Sequence, residues 1–167
     1  MMRKKILPLE ELKYYLKQFD RKAVAFTNGC FDLLHVGHIR LLRTIKEQSD
    51  ILVVALNSDS SIKRLKGEKR PILPLEERME IISSIEYVDF VTFFDEDTPY
   101  KLIEQLKPQI LAKGGDWQTS QIVGADIVLK NNGKILSINY EQGFSTTNII
   151  EKIILLYCCN GKNNKPL

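Results

Sequence analysis

Apolar residues along this chain fall into two rhythms that take turns. Residues 51–56 form an unbroken apolar run that starts after Asp50, the pattern of a parallel strand over 51–57 buried on both faces. Runs at 23–27, 88–94, 109–113 and 134–139 predict four more strands. Between them the spacing lengthens to three and four. Leu7, Leu9, Leu12, Tyr15 and Leu16 predict a helix over 7–19, and residues 36–47 predict a second with Arg40, Arg43 and Lys46 on its outer face. A third is expected at 58–65. A fourth, over 75–85, carries Glu76 and Glu77 in its first turn, where the helix dipole favours carboxylates. A fifth, over 99–106, opens on Pro99 with Thr98 as its cap. The last two are expected from about Ser120 to Lys130 and over 145–158. Residues 66–71 read as a loop, and Asn28-Gly29 and Asn131-Asn132-Gly133 as tight turns.

Strands and helices alternate throughout. The expected fold class is therefore α/β: a Rossmann-like three-layer α/β/α sandwich around a five-stranded, mostly parallel sheet. Ligands of such sheets bind outside the carboxyl ends of the strands, where strand order reverses. No repeat, linker or shift in composition divides the chain. One domain is expected over 23–159, with a helical extension over 1–22 and a polar, disordered tail over 160–167.

Composition narrows the class of partner. The 167 residues carry a net charge of +3, too small to argue for nucleic acid and compatible with small polyanions. No apolar run approaches the roughly 20 residues of a membrane span, and the first residues lack the apolar core of a signal peptide. A cytoplasmic protein is expected. Three cysteines argue against a disulfide framework; Cys158 and Cys159, at the end of an apolar helix, are expected to pack in the core.

Both histidines of the chain sit in one tetrapeptide, His35-Val36-Gly37-His38, between the first strand and the second helix. Positions i and i+3 share a helix face, so both imidazoles can reach one anion at a helix N-terminus. Gly37 removes a side chain where phosphate oxygens must approach. Cys30, Asp32, His35 and His38 offer a competing zinc reading. Structural zinc spacings usually bring a second ligand pair from elsewhere, and the chain has no further histidine, so no resident metal is expected.

Three other segments lie at predicted strand ends or helix starts. Lys63-Arg64-Leu65-Lys66-Gly67-Glu68-Lys69-Arg70 is a basic run that follows Asn57-Ser58-Asp59. It reads as a solvated turn or as a mobile loop closing on phosphates, with Lys66 and Arg70 the better candidates. Lys113-Gly114-Gly115-Asp116 ends the fourth strand; its glycines permit close ligand approach, and Asp116 suits ribose hydroxyls. Ser145-Thr146-Thr147 offers three hydroxyls at the start of the last helix, more than a cap needs. P-loop and dinucleotide fingerprints are absent.

The stretch Thr27-Asn28-Gly29-Cys30-Phe31-Asp32-Leu33-Leu34-His35-Val36-Gly37-His38 resembles the signature of the nucleotidyltransferase superfamily, which uses a histidine-any-glycine-histidine motif to bind nucleoside triphosphates. Val54-Ala55-Leu56-Asn57-Ser58-Asp59, Pro74-Leu75-Glu76-Glu77-Arg78-Met79, Glu96-Asp97-Thr98-Pro99 and Gly143-Phe144-Ser145-Thr146-Thr147-Asn148 extend the likeness. In them the chain is similar to the adenylyltransferase domain of bifunctional heptose kinase/adenylyltransferases of lipopolysaccharide inner-core synthesis. The resemblance implies attack of D-glycero-β-D-manno-heptose 1-phosphate on the α-phosphate of ATP, giving ADP-heptose and pyrophosphate. It also implies Mg²⁺ with the triphosphate, no covalent intermediate and a homodimer. No sugar kinase domain fits in 167 residues, so a separately encoded kinase is expected.

Taken together, these readings assign catalysis to His35, His38, Lys66 and Arg70. They assign nucleotide binding to Thr27, Asn28, Gly29, Cys30, Phe31, Asp32, Gly37, Asn57, Asp59, Lys113, Gly114, Gly115, Asp116, Ser145, Thr146 and Thr147. Two departures bear on related branches. Tyr140 stands where glycerol-phosphate cytidylyltransferases place an arginine, and Asn148-Ile149-Ile150 stands where coenzyme-A and NAD-pathway enzymes place one. Cytidylyl transfer to glycerol 3-phosphate or a similar alcohol phosphate, and nucleotide binding without turnover, are the alternatives.

Overall fold

A computed structural model describes residues 4–19, 22–115, 117–139 and 143–158. Five strands, β1 (Val24–Gly29), β2 (Ile51–Asn57), β3 (Phe90–Phe94), β4 (Ile110–Gly114) and β5 (Lys134–Ile138), form one sheet in the order β3-β2-β1-β4-β5. Every pairing is parallel, so "mostly parallel" becomes wholly parallel. Helices α1 (Leu9–Lys17), α2 (Val36–Lys46), α3 (Asp59–Lys66), α4 (Leu75–Ser83), α5 (Tyr100–Leu106), α6 (Ala125–Lys130) and α7 (Thr146–Tyr157) connect or flank the strands.

The strands bury alternate residues on the two faces. Phe26, Val53, Phe90 and Leu111 pack with Leu12 of α1, Leu102 and Ile103 of α5 and Val128 of α6. Ala25, Leu52, Val54 and Val91 pack with Leu42 and Ile45 of α2 and Ile82 of α4. All seven residues of β2 are buried, as expected of a central parallel strand.

Strand order reverses at β1. Its registered pairing with β2 runs to Gly29–Leu56, whereas its pairing with β4 stops at Phe26–Leu111. Beyond that point β1 and β4 separate, and a crevice opens at their carboxyl ends.

Several boundaries differ from expectation for identifiable reasons. The first helix begins at Leu9, not Leu7, because the Leu7 N–H donates to the Val91 carbonyl (2.9 Å) and Ile6 bridges to β3. Pro8 holds Leu7 away from helical geometry. The extension is thus tied to the sheet edge, with Leu7 and Leu12 in the core. Asn28-Gly29 is not a turn but the end of β1; the chain bends at Phe31, which has φ +46°.

Thr98 does not cap α5, whose N-cap is Pro99 with no side-chain hydrogen bond. The helix expected from Ser120 breaks into a 3-10 turn (Thr119–Gln121) and α6. Gly124 between them has φ +86°, and a Cβ there would lie 2.7 Å from Ile103 Cδ1. Lys46 leaves the outer face of α2 to pair with Asp89 at 2.6 Å. Cys158 is exposed rather than packed in the core, because no residue of α7 is buried. Cys159, Asp116, Tyr140 and the tail over 160–167 lie outside the described residues. Among the described residues no helix is long and apolar enough to cross a membrane.

Gly133 carries the tightest backbone approach: a Cβ there would sit 2.6 Å from both the Gln109 carbonyl oxygen and Val128 Cγ1. Gly133→Ala is expected to destabilise by about 1–3 kcal/mol through overpacking. Urea denaturation measures this, and an unchanged midpoint would show that the turn yields without cost.

Candidate nucleotide-binding site

A cavity of about 740 Å³ opens over the carboxyl ends of the strands. Its floor is the β1–β4 crevice. Asn28, Gly29, Cys30 and Phe31 leave β1 on one side, and Lys113 and Gly114 end β4 on the other. Lys113 Nζ spans the gap, donating to the Asn28 carbonyl (3.3 Å) and to Asn28 Oδ1 (3.2 Å). Burial lowers the Lys113 pKa. A Cβ at Gly29 would press on the Phe31 ring, 3.1 Å away, so glycine leaves that ring its place.

The wall is the start of α2. His35 occupies the N-cap and His38 the third helical position. Their rings stack at 3.8 Å with 26° between planes, and Phe31 packs against His38 at 5.2 Å. His38 Nδ1 accepts from the His35 N–H at 3.4 Å. An accepting Nδ1 leaves the proton of the neutral ring on Nε2, a ready donor. Burial, and then the neighbouring His35, push the His38 pKa down to about 4; burial also lowers that of His35. The free site therefore holds two neutral imidazoles at neutral pH. His35 Nδ1 is buried without a hydrogen-bond partner, an orphan of the kind concentrated at functional sites. Gly37 has a reason beyond access for phosphate: a Cβ would meet His35 Nδ1 at 3.0 Å and Phe144 Cβ at 3.4 Å.

Cations close the other side. Lys66 ends α3 and faces the cavity, and Arg70 follows in the loop. Burial raises the Cys30 pKa, opposed by the charges of Lys66, Arg78, Arg70 and Lys113. A half-buried neutral thiol thus marks where four cations converge. Among the described residues, no three His, Cys, Asp or Glu side chains come together as a metal site.

Several predicted residues have partners within the protein. Asp32 is almost wholly buried and accepts from Arg70 Nε (2.6 Å), the Ile72 N–H (2.8 Å) and the Leu73 N–H (2.9 Å). It therefore anchors the basic loop. Asn57 lines the cavity and donates through Nδ2 to Ser61 Oγ. Thr27, Gly37, Asp59 and Gly115 are not among the residues that line the cavity. Ser145 caps α7 by accepting from the Asn148 N–H, and Thr146 Oγ1 donates to the Leu33 carbonyl. With Thr147 they bring a second helix N-terminus to the cavity. The structure thus gathers segments more than a hundred residues apart.

Arg78 is the residue that motif reasoning missed. It lies on α4, fully buried. Its guanidinium donates to the Leu73 carbonyl (3.0 Å), the Cys30 carbonyl (2.6 Å), the Asn57 carbonyl (2.9 Å) and Asp59 Oδ1 (2.7 Å). The available signal was helical phase: Arg78 stands four residues before buried Ile82, on the inward side of its helix.

Two outcomes follow from this geometry. Arg78→Met is expected to cost about 3–5 kcal/mol, because it strips three carbonyls and a carboxylate of their donor. Arg78→Lys should recover part of the loss; chemical denaturation decides, and a near-neutral Arg78→Met would contradict the assignment. The second concerns pH. Between pH 6.5 and about 4 the unfolded chain binds a proton that native His38 lacks. Stability should fall as pH drops through that window, and less so in His38→Gln. Equal pH dependence of the two proteins would refute the burial of a neutral ring.

The cytidylyltransferase-like family matches residues 26–152. "Bifunctional protein HldE" of Campylobacter jejuni subsp. jejuni serotype O:6 is 53% identical over 150 residues, 90% of this chain and 32% of that protein. The protein of the same name from Geobacter metallireducens is 51% identical over 136 residues, 81% of this chain and 28% of that one. The chain thus spans about three tenths of these curated relatives.

Among solved structures, a lipopolysaccharide core biosynthesis protein from Thermoplasma volcanium aligns with a TM-score of 0.57 at 28% identity, covering 72% of this chain and 97% of that one. A pantoate-β-alanine ligase from Francisella tularensis shares the fold, with a TM-score of 0.63 at 16% identity, covering 97% of this chain and 82% of that one. The motif around His35 and His38, the crevice it faces and the match across residues 26–152 agree: this chain belongs to the cytidylyltransferase-like family.

Proposed function

We propose that the chain transfers the adenylyl group of ATP to D-glycero-β-D-manno-heptose 1-phosphate, releasing pyrophosphate. The observation that carries nucleotidyl transfer is the stacked, neutral histidine pair at the start of α2, facing Lys66, Arg70 and Lys113 across one cavity. The heptose substrate rests on the sequence likeness and on relatives of about 50% identity. In this reading a phosphate oxygen of the sugar attacks the α-phosphorus, and the bond to pyrophosphate breaks. The imidazole N–H groups and the helix N-termini hold the phosphates in line, and Lys66 and Arg70 meet the charge that grows on the leaving group. No residue becomes covalently attached.

The two carboxylates that line the cavity, Asp32 and Asp97, are paired with Arg70 and Arg64, and no carboxylate cluster stands ready for a metal among the described residues, so a divalent ion would enter with the triphosphate. Mg²⁺ would then be held by phosphate oxygens and water, as it is where proteins supply no cage. The need for ATP places the reaction in the cytoplasm in this proposal. Pairing of two copies is part of the same proposal; Ile153, Ile154, Leu155 and Leu156 stand exposed on α7, and light scattering measures the pairing.

A nucleotide-by-acceptor activity matrix tests the reaction. ATP with the heptose 1-phosphate should exceed CTP with glycerol 3-phosphate by about 10⁴ in kcat/KM, because a site built for many hydroxyls leaves polar groups unpaired with a smaller acceptor. Preference for CTP would favour the cytidylyl alternative, and ATP binding without pyrophosphate release would favour a non-catalytic module. His35→Ala and His38→Ala should each lower kcat by ~10²–10³ while the protein stays folded. Lys66→Ala should lower kcat more than it raises the KM for ATP; a change in KM alone would mean ground-state binding only.

A further inference from the structure

The cavity straddles the sheet. The histidines and Ser145 belong to the side of α2 and α7, and the side over α5 and α6 has a different chemistry. There it is lined by Asp97 and Thr98 ahead of α5, and by Trp117, Gln121 and Val123 between β4 and α6. None of these five is a cation. A volume of about 740 Å³ lies in the upper part of the range for small-molecule sites, ~300–1,000 Å³.

We propose that this half of the cavity binds the sugar of the acceptor substrate, with Trp117 and Asp97 as its specificity-determining side chains. The inference rests on the sugar-phosphate nucleotidyltransferase reading above and assigns the acceptor within it. Trp117 is held at two points: its Nε1–H donates to the Gly114 carbonyl (2.9 Å) and its backbone N–H to Ser137 Oγ (3.2 Å). The residue is nevertheless 44% exposed, and it lines the cavity. A fixed, half-exposed aromatic face suits the C–H face of a pyranose, which is apolar while its rim is not.

Asp97 supplies the complement for that rim. Its Oδ1 accepts from Arg64 Nε at 2.7 Å, an ion pair that orients the carboxylate. A carboxylate has about four acceptor positions, so capacity for sugar hydroxyls remains. Thr98 and Gln121 add groups that both donate and accept. An aromatic side chain and several acceptors lining one cavity without a cation among them fit a polyhydroxylated ligand and not a second triphosphate. The acceptor's phosphate then points back toward Lys113 and the crevice, where the two substrates must meet.

Trp117 is the only tryptophan of the chain, so its emission reports this subsite directly. The intact protein is loaded with a non-hydrolysable ATP analogue and titrated with the heptose 1-phosphate. A saturable change in emission is expected, and inorganic phosphate should not reproduce it. In turnover, Asp97→Asn and Trp117→Leu should each raise the KM for the sugar phosphate by about tenfold or more, with the KM for ATP within about twofold. Trp117→Phe, which keeps a ring, should lose less.

If wild type turns over and both Asp97→Asn and Trp117→Leu leave the sugar KM unchanged, the subsite is wrong and the proposed reaction stands. A rise confined to the KM for ATP assigns this half to the nucleoside and overturns the inference. An emission change matched by inorganic phosphate also overturns it. If wild type neither turns over a sugar 1-phosphate nor changes emission with it, both readings fall.

Discussion

The site depends on one buried guanidinium. Arg78 reaches from α4 to three segments where regular pairing ends: the exit of β1 at Cys30, the end of β2 at Asn57 and the loop at Leu73. A planar group with five donors can satisfy diverging carbonyls at once, which a lysine cannot. Asp59 offsets its charge. Asp32 extends the arrangement by holding Arg70 and the N–H groups of Ile72 and Leu73. Two buried charged residues thus place the basic loop against the cavity. Neither needs to touch a ligand to matter.

Electrostatics within the cavity are set by what is left uncompensated. Lys113 and Cys30 are pushed toward their neutral forms by burial, and so are both histidines. Lys66, at the exposed end of α3, stands at the rim of the cavity. An arriving polyanion would reverse the burial effect on Lys113 and the histidines, since its charge favours the protonated forms. The resting site is therefore a low-charge floor with cations at its edge. It is prepared to hold charge rather than already holding it.

The two sides of the cavity divide the chemistry between the two layers of helices. The layer of α2 and α7 offers helix N-termini, imidazoles and hydroxyls, groups that hold phosphate. The layer of α5 and α6 offers an indole, a carboxylate and an amide, groups that suit the hydroxylated ring proposed for it. They meet above the β1–β4 separation, where Lys113 bridges the gap. A parallel sheet whose strand order reverses at β1 places that meeting point by topology alone.

Much of this was legible along the chain. The unbroken run of β2 and the alternation of two periods specified a parallel sheet with helices on both faces, because burial on two faces demands apolar residues at every position. The histidine motif, Lys66 and the hydroxyls at α7 were marked by residue type and spacing. What escaped was set by contacts between distant segments. Gly124 and Ile103 interrupt the helix expected from Ser120. The Val91 carbonyl claims the Leu7 N–H and delays α1. Asp32 lines the cavity, and its oxygens also accept from Arg70, Ile72 and Leu73, a tie that residue type and spacing did not announce.

Arg78 lay in a segment that extends the family likeness but was given no role there, because that role exists only once α4 packs against the exits of β1 and β2 and the loop at Leu73. Local sequence determines which backbone geometry and which chemistry a segment favours, since propensity and periodicity act over neighbouring residues. Tertiary structure decided which of those groups bind one another and which remain free to face a ligand, because hydrogen-bond partners and burial are set by packing between segments far apart in the chain.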